Sequence, residues 1–286
     1  YKIEQNFKKL KIRKSKIKYL VNYYFRSLKL GKKIQDKVSY VEKQKDNLLP
    51  EDFKKEDENI VIFNSSEDEY ASLGEIYDNT IYKSQIDALK NICRDLSKTK
   101  KKIIIWLRIH PNLRNVKWSY IKEFFDLESK YKFLHVISAS SEVSSYALLF
   151  NSSKVITFGS NMGIEAVYNK KPAILLNRIP YEKLKCQYVP RSHKEVMKLI
   201  YSDLKPMPTL GVEKYALFKM IGGEKLKGFK GSYDEGFSFY NNKFKQSFLF
   251  KIQYYFCRFI DKYYFLYTRN AGIKLLIRSI FLDNKK

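Results

Sequence analysis

Three polar segments of this chain contain residue types that suit phosphate chemistry, and each directly follows a short apolar run. The runs cover residues 60–63, 103–107 and 155–158, and their composition predicts buried strands. Hydroxyl, amide and guanidinium groups donate hydrogen bonds to phosphate oxygens, and an imidazole can also protonate a leaving group. The polar residues that follow the runs are Asn64, Ser65 and Ser66, then Arg108, His110, Pro111 and Asn112, then Ser160 and Asn161.

Residues 155–177 predict a complete βαβ unit: a strand, a turn at residues 159–161, a helix over 162–169 and a second strand over 173–176. Free backbone N–H groups in the helix's first turn, beginning with Met162, suit a phosphate. Glu165 lies about one turn into the helix, where its carboxylate can accept hydrogen bonds from a ribose. The alternative is that Ser160 only caps the helix and Glu165 is a solvated surface acid.

The elements that must position these residues form a regular alternation. Strands are predicted near residues 60, 103, 133, 155 and 173, with helices between them, including 77–96, 118–131 and one that begins near Tyr146 after a Ser144 cap. This pattern predicts an α/β fold with a doubly wound, parallel, Rossmann-like sheet over residues 59–204. A basic helical segment and a linker precede it (1–58), and a loop-rich segment with basic aromatic helices follows it (205–286).

The roles of the acidic residues 67–69 and of His110 stay open at this point. The acidic residues Glu67, Asp68 and Glu69 favour a helix N-terminus, or else Glu69 faces the substrate as a base. His110 is either part of an anion site or a structural histidine. The three cysteines have no CxxC spacing, which argues against a zinc site or disulfides and favours a reducing compartment. No Asp-x-Asp element occurs in a convincing context, so neither a metal nor a cofactor is expected.

The formal net charge of +25 is concentrated at the two ends of the chain. Residues 1–48 contain fifteen Lys or Arg against four Asp or Glu, and residues 2–30 predict one basic amphipathic helix. The tail mixes aromatics with cations that interrupt it too often for a transmembrane span. We expect peripheral contact with an anionic membrane surface. Nucleic-acid binding is the competing interpretation, but no nucleic-acid motif is present and the charge avoids the sheet's ligand edge.

The combination of RIHPN, the serine-rich HVISASSEVSSYALL turn and VITFGSNMGIEAVYNKKPAILLN resembles a known family. It is similar to the nucleotide-sugar-binding half of bacterial capsular polysaccharide biosynthesis glycosyltransferases, GT-B enzymes related to Kdo-transferring capsule proteins and to sialyltransferases with an HP motif. The resemblance implies that His110 with Pro111 meets the donor phosphate and that Ser160 and Asn161 hold phosphate. It also implies that Gly163 permits a close approach and that Glu165 binds the ribose.

The resemblance implies transfer of a sugar from a nucleotide donor to a surface glycan or lipid-linked acceptor, on the cytoplasmic face of the plasma membrane. A GT-B enzyme has its acceptor side, and often its base, in an N-terminal lobe, whereas helix and linker precede residue 60 here. Because Tyr1 already lies in a helical pattern, we expect further chain upstream. The alternatives are a polyol-phosphate transferase like teichoic-acid polymerases and a non-catalytic membrane-bound scaffold.

Overall fold

Five parallel strands form the centre of the larger of two compact units, which cover residues 1–224 and 225–286. The computed structural model describes residues 2–32, 40–66, 80–114, 119–222, 229–232, 236–240 and 242–243. The strands are β1 (Glu58–Phe63), β2 (Ile103–Arg108), β3 (Leu134–Ile137), β4 (Lys154–Thr157) and β5 (Ala173–Leu175). Each lies where the apolar runs predicted a strand, so the predicted parallel α/β sheet is confirmed.

The order of the strands across the sheet is β3-β2-β1-β4-β5. The chain therefore moves outward from β1 to β3 and then crosses back to β4 on the other side of β1. In the register, Ile62 pairs with Leu107 on one side and with Ile156 on the other. The point where the strand order reverses leaves a crevice at the carboxyl ends of β1 and β4, which is the usual ligand position in such sheets.

Helices cover both faces of the sheet. They are α1 (Lys2–Lys9), α2 (Lys14–Lys29), α3 (Gln85–Leu96), α4 (Ser119–Lys130), α5 (Ser145–Asn151), α6 (Met162–Tyr168), α7 (His193–Tyr201) and α8 (Leu210–Ile221). Consecutive residues of β1 point to opposite faces: Val61 and Phe63 pack with α2, α5, α6 and α8, whereas Ile60 and Ile62 pack with α3, α4 and α7. Burial on both faces explains why these strands are nearly continuous apolar runs.

The N-terminal part of the chain differs from its prediction as one helix followed by a linker. The predicted helix over 2–30 is two helices, because Arg13, just before the first residue of α2, has an extended backbone. Closely spaced like charges in this segment weaken a continuous helix. Over residues 40–57, the predicted linker packs against the sheet instead of extending into solvent. Phe53 is buried with its ring 5.0 Å from that of Trp106, and Asp52 lies 3.0 Å from His135.

Other boundaries also shifted for local reasons. The helix predicted over 77–96 begins at Gln85, because Ser84 caps it by accepting a hydrogen bond from the Asp87 N–H. Ser144 caps α5 as predicted. Phe125 on α4 is exposed. Among the described residues no helix is both long and apolar enough to cross a membrane.

The second unit contains a small antiparallel sheet of β6 (Phe229–Ser232), β7 (Gly236–Phe239) and β8 (Asn242–Lys243), in that order. The helix α8 (Leu210–Ile221) lies within the segment 205–286 that was predicted to be loop-rich. The basic aromatic helices predicted for the tail lie outside the described residues. The two compact units divide after residue 224, and the predicted domain boundaries at residues 58 and 204 stay predictions.

Candidate active site

A cavity of about 400 Å³ lies at the crevice where the strand order reverses. The segments after β1, β2 and β4 form its floor, and residues from the end of α2 and from positions 40–44 form another wall. Of the residues predicted from the sequence, the cavity is lined by Ser65, Arg108, His110, Pro111, Ser160, Asn161, Met162 and Glu165. Most of the predicted site residues, taken from three separate segments, are therefore brought together here.

Three buried polar groups at this cavity have no hydrogen-bond partner within the described part of the chain. They are the Asn64 Nδ2, the Ser65 Oγ and the Arg108 Nε. The other groups of the same segment are satisfied: the Asn64 Oδ1 accepts from the His110 N–H at 2.6 Å, and the Gln85 side chain bonds both the N–H and the carbonyl of Ser65. Buried donors are normally paired, so three unpaired ones at one cavity indicate a place for a hydrogen-bond acceptor.

Arg108 places a positive charge beside the cavity. Its side chain is almost fully buried, and its guanidinium donates to the carbonyls of Ser138 and Ser141. Within the described residues no carboxylate forms an ion pair with it. Burial, and secondarily the charge of Arg114, lower the pKa of Arg108 to about 10, so the group stays cationic at neutral pH. A buried cation without a counter-charge is costly, and an anionic ligand would offset that cost.

His110 is held so that one ring nitrogen is already used. Its Nδ1 accepts a hydrogen bond from the Asn112 N–H at 3.1 Å. The neutral ring therefore has its proton on Nε2, where it is available to a ligand. Burial, and secondarily Arg108, lower the pKa of His110 to about 4. At neutral pH, His110 is a neutral hydrogen-bond donor rather than a cation.

Two tyrosines hold the turn after β4. Gly159 has a φ of 105°, which favours glycine, and the Tyr181 hydroxyl donates to the Gly159 carbonyl at 2.9 Å. The Tyr215 hydroxyl donates to the Asn161 Oδ1 at 2.8 Å. The Ser160 Oγ accepts from the Met162 N–H at 3.3 Å, and the Asn161 side chain makes no cap bond. Ser160 thus bonds to the first turn of α6, in agreement with the alternative in which it caps the helix. It also lines the cavity.

Glu165 is not a solvated surface acid. It is buried, lines the cavity and accepts a hydrogen bond from the Tyr146 hydroxyl. Burial first, and then the charge of Glu165, raise the pKa of Tyr146 far above its usual range. Tyr146 therefore remains a donor that orients the carboxylate, which leaves this end of the cavity suited to hydroxyl groups.

Several predicted residues lie elsewhere. Gly163 does not line the cavity; a Cβ there would lie 2.0 Å from the Gln187 Nε2, so the close approach is made by that side chain. Asn112 is exposed and serves His110 through its backbone, and Ser66 is buried away from the cavity wall. Glu69 lies outside the described residues.

Sequence reasoning missed several cavity residues, among them Lys32, Tyr40, Gln44 and Tyr146. The first three fell in the basic helix and the predicted linker, where no local pattern marks a ligand site. Tyr146 was placed in a helix, but nothing in the sequence relates it to Glu165. Within the described ranges, no group of three or more His, Cys, Asp or Glu could hold a metal ion.

A doubly wound sheet with an anion-suited cavity at its strand reversal is the architecture of nucleotide-binding α/β domains. The sequence comparison identifies the family: residues 1–183 match the family described as capsule polysaccharide biosynthesis protein, and the chain belongs to that family. The resemblance inferred from the RIHPN and GSNMGIEA segments is thereby confirmed. No curated protein sequence matches the chain significantly.

Solved structures with a similar fold include two KpsC transferase structures from Thermosulfurimonas dismutans. The KpsC beta Kdo 2,7 transferase is 14% identical with a TM-score of 0.42, and the match covers 75% of this chain and 57% of that one. The KpsC beta Kdo 2,4 transferase is 12% identical with a TM-score of 0.44, covering 72% and 56%. The UDP-GlcNAc 2-epimerase of Methanocaldococcus jannaschii is 16% identical with a TM-score of 0.37, covering 68% and 47%. The match to this chain therefore spans little more than half the length of the two transferases.

Proposed function

We propose that this chain is the donor-binding part of a glycosyltransferase that moves a sugar from a nucleotide-activated donor onto a capsular or other surface polysaccharide, or onto a lipid-linked acceptor. Membership of the capsule polysaccharide biosynthesis family supports the biological context. The observation that carries the biochemical proposal is the set of unpaired buried groups of Asn64, Ser65 and Arg108 at the strand-reversal cavity. Their chemistry suits the phosphate of a nucleotide donor.

In this scheme the phosphate accepts hydrogen bonds from Asn64, Ser65 and Arg108, and His110 donates from Nε2. The bond between the sugar's anomeric carbon and the phosphate oxygen breaks, and the nucleotide leaves with the electron pair. The acceptor hydroxyl oxygen bonds to the anomeric carbon, and its proton passes to a base, for which Glu69 is our candidate. The fixed donors stabilise the negative charge that develops on the leaving phosphate.

The Glu165–Tyr146 pair is proposed to bind the ribose. Its carboxylate is buried at the cavity and oriented by the tyrosine hydroxyl. A sugar hydroxyl is a better partner for a carboxylate than a phosphate is, because the two anions would repel. The phosphate and the ribose would thus bind at chemically different ends of one cavity.

Binding of a nucleotide tests the proposal. Ser65→Ala removes a hydroxyl that has no hydrogen-bond partner among the residues the structure describes, so stability should be unchanged while nucleotide affinity falls about tenfold, as for a hydrogen bond to a charged group. Thr157→Val is the matched control, because the Thr157 Oγ1 is also buried and lacks a partner in the described ranges, but Thr157 does not line the cavity. Isothermal titration calorimetry with nucleotides and nucleotide-sugars measures the affinity of each variant. Equal affinities in the two variants would contradict the proposed phosphate position.

Turnover separates the possible donors. Radiolabelled nucleotide-sugars and nucleotide-glycerol, offered with an oligosaccharide or lipid-linked acceptor, distinguish sugar transfer from polyol-phosphate transfer. We expect incorporation of sugar. Incorporation of glycerol phosphate alone would instead assign the chain to polyol-phosphate transfer.

We also propose that α2 contacts the anionic cytoplasmic face of the plasma membrane. Tyr19 and Tyr23 are exposed on this helix with their ring centroids 6.2 Å apart, and Lys14, Lys16 and Lys18 are exposed beside them. Aromatic rings at headgroup depth with neighbouring cations suit an anionic bilayer. Sedimentation with phosphatidylglycerol vesicles, compared with phosphatidylcholine vesicles, tests this; equal or absent binding to both would contradict it.

A further inference from the structure

The ring of Tyr40 packs against His110 at the cavity. The two ring centroids are 4.8 Å apart and the planes are inclined by 71°, so one ring presents its edge to the face of the other. Both residues line the same cavity. Tyr40 belongs to the segment before β1 that the sequence predicted to be a linker, and it was not predicted to take part in the site.

The turn that contains Tyr40 is fastened to the sheet domain next to the cavity. The Gln44 Nε2 donates to the Tyr40 carbonyl at 3.1 Å, and the Gln44 Oε1 accepts from the Ser145 N–H at 2.7 Å. One residue further, the Lys45 N–H donates to the Glu142 carbonyl at 2.8 Å. The turn of Tyr40 is therefore held by the first residue of α5 and by the segment just before that helix.

The hydrogen bonds that His110 makes within the described residues come from the sheet side. Its backbone N–H donates to the Asn64 Oδ1, and its Nδ1 accepts from the Asn112 N–H. These bonds fix the backbone and one edge of the imidazole, but they do not cover its faces. Of the charged groups nearby, Arg108, Lys32 and Glu165 line the cavity, and Arg114 follows the turn after His110.

We propose that Tyr40 is a positioning residue for His110: its ring covers the imidazole, excludes water and keeps the Nε2–H directed to the ligand. The inference rests on the proposed function, because it assigns His110 the role of donor to the leaving phosphate. It extends the active site to the segment before β1. In physical terms, Tyr40 contributes to the burial that keeps the imidazole neutral in spite of solvent at the cavity mouth.

Titration of the histidines by NMR tests this without any need for turnover. The chain contains three histidines, His110, His135 and His193, and His110→Gln identifies the His110 signal. In the unaltered protein the pKa of His110 is expected at about 4. Tyr40→Ala should raise it toward its ordinary value by about one unit or more, because water reaches the imidazole. Tyr40→Phe keeps the ring and should leave the pKa unchanged.

His135 and His193 serve as internal controls, since unchanged titration of both shows that the variant is folded. A His110 pKa that stays the same in Tyr40→Ala overturns the proposal. In a transferase assay, Tyr40→Ala should lower kcat by on the order of tenfold to a hundredfold with the donor KM nearly unchanged, as for a misplaced catalytic group. A shifted pKa in a chain without transferase activity would refute the proposed function while leaving the positioning role intact.

Discussion

Gly163→Ala separates two explanations for a glycine at this position. The family resemblance implies that Gly163 lets a ligand approach closely, whereas in the structure the space is filled by other side chains. A Cβ at residue 163 would lie 2.0 Å from the Gln187 Nε2 and 2.9 Å from the Thr157 Oγ1. Both neighbouring side chains are buried, so neither can move into solvent.

The expected change in the free energy of unfolding follows from two opposing effects. Overpacking a buried site costs about 1–3 kcal/mol. Gly163 lies in α6, and replacing glycine by alanine inside a helix stabilises the helix by about 1 kcal/mol. The contact at 2.0 Å is well below any real packing distance, so the overpacking term should prevail, and we expect a net loss of about 1–2 kcal/mol.

A double-mutant cycle with Gln187→Ala isolates the contact. Gln187→Ala removes the nearest atoms, and its Nε2 has no hydrogen-bond partner within the described residues, so no bond is lost from that nitrogen. In the Gln187→Ala background, Gly163→Ala should cost little or become favourable. Urea unfolding of the four proteins gives the coupling free energy. Unchanged stability in both backgrounds, together with lost nucleotide binding, would refute the packing explanation and restore the ligand explanation.

Three further predictions concern single side chains. Because the pKa of His110 lies at about 4 instead of 6.5, the unfolded chain binds a proton before the folded one does, and about 3 kcal/mol of stability is lost as the pH falls from 6.5 to 4. His110→Gln should reduce this loss in urea unfolding at pH 7 and 4.5, and an identical pH dependence would contradict the burial of the imidazole. Tyr215→Phe removes the bond to Asn161 and should cost about 1 kcal/mol in unfolding, whereas no change would mean that the bond is not formed in solution. Asn59→Ala removes three side-chain hydrogen bonds, including one from the Trp106 Nε1 at 2.8 Å, and should cost about 3 kcal/mol with a shifted tryptophan emission; a loss below about 1 kcal/mol would count against this network.

The sheet could be predicted because its strands are buried on both faces. A strand such as β1 must be apolar at nearly every position, and this leaves a run that the sequence shows directly. Parallel strands also bring their carboxyl ends to one edge, so polar residues after three different runs had to lie near one another. That reasoning placed Ser65, Arg108, His110 and Ser160 at one cavity without any coordinates.

What remained hidden depends on contacts between distant residues. Phe53 is one of two aromatic residues in a highly charged stretch, and contacts such as the one it makes with Trp106 show that residues 40–57 are packed rather than extended into solvent. Tyr40 stands in the same stretch and has no periodic neighbour to mark it.

Gly163 shows the same limit in another form, because a glycine marks a need for space without saying what fills it. The residue that does so, Gln187, lies 24 positions later in a loop after β5. The two explanations for Gly163 also imply different positions for a bound phosphate. If the Gln187 side chain fills the space beside Gly163, the phosphate must bind at the carboxyl ends of β1 and β2, to Asn64, Ser65 and Arg108. Their unpaired groups are therefore the stronger evidence for where a phosphate would bind.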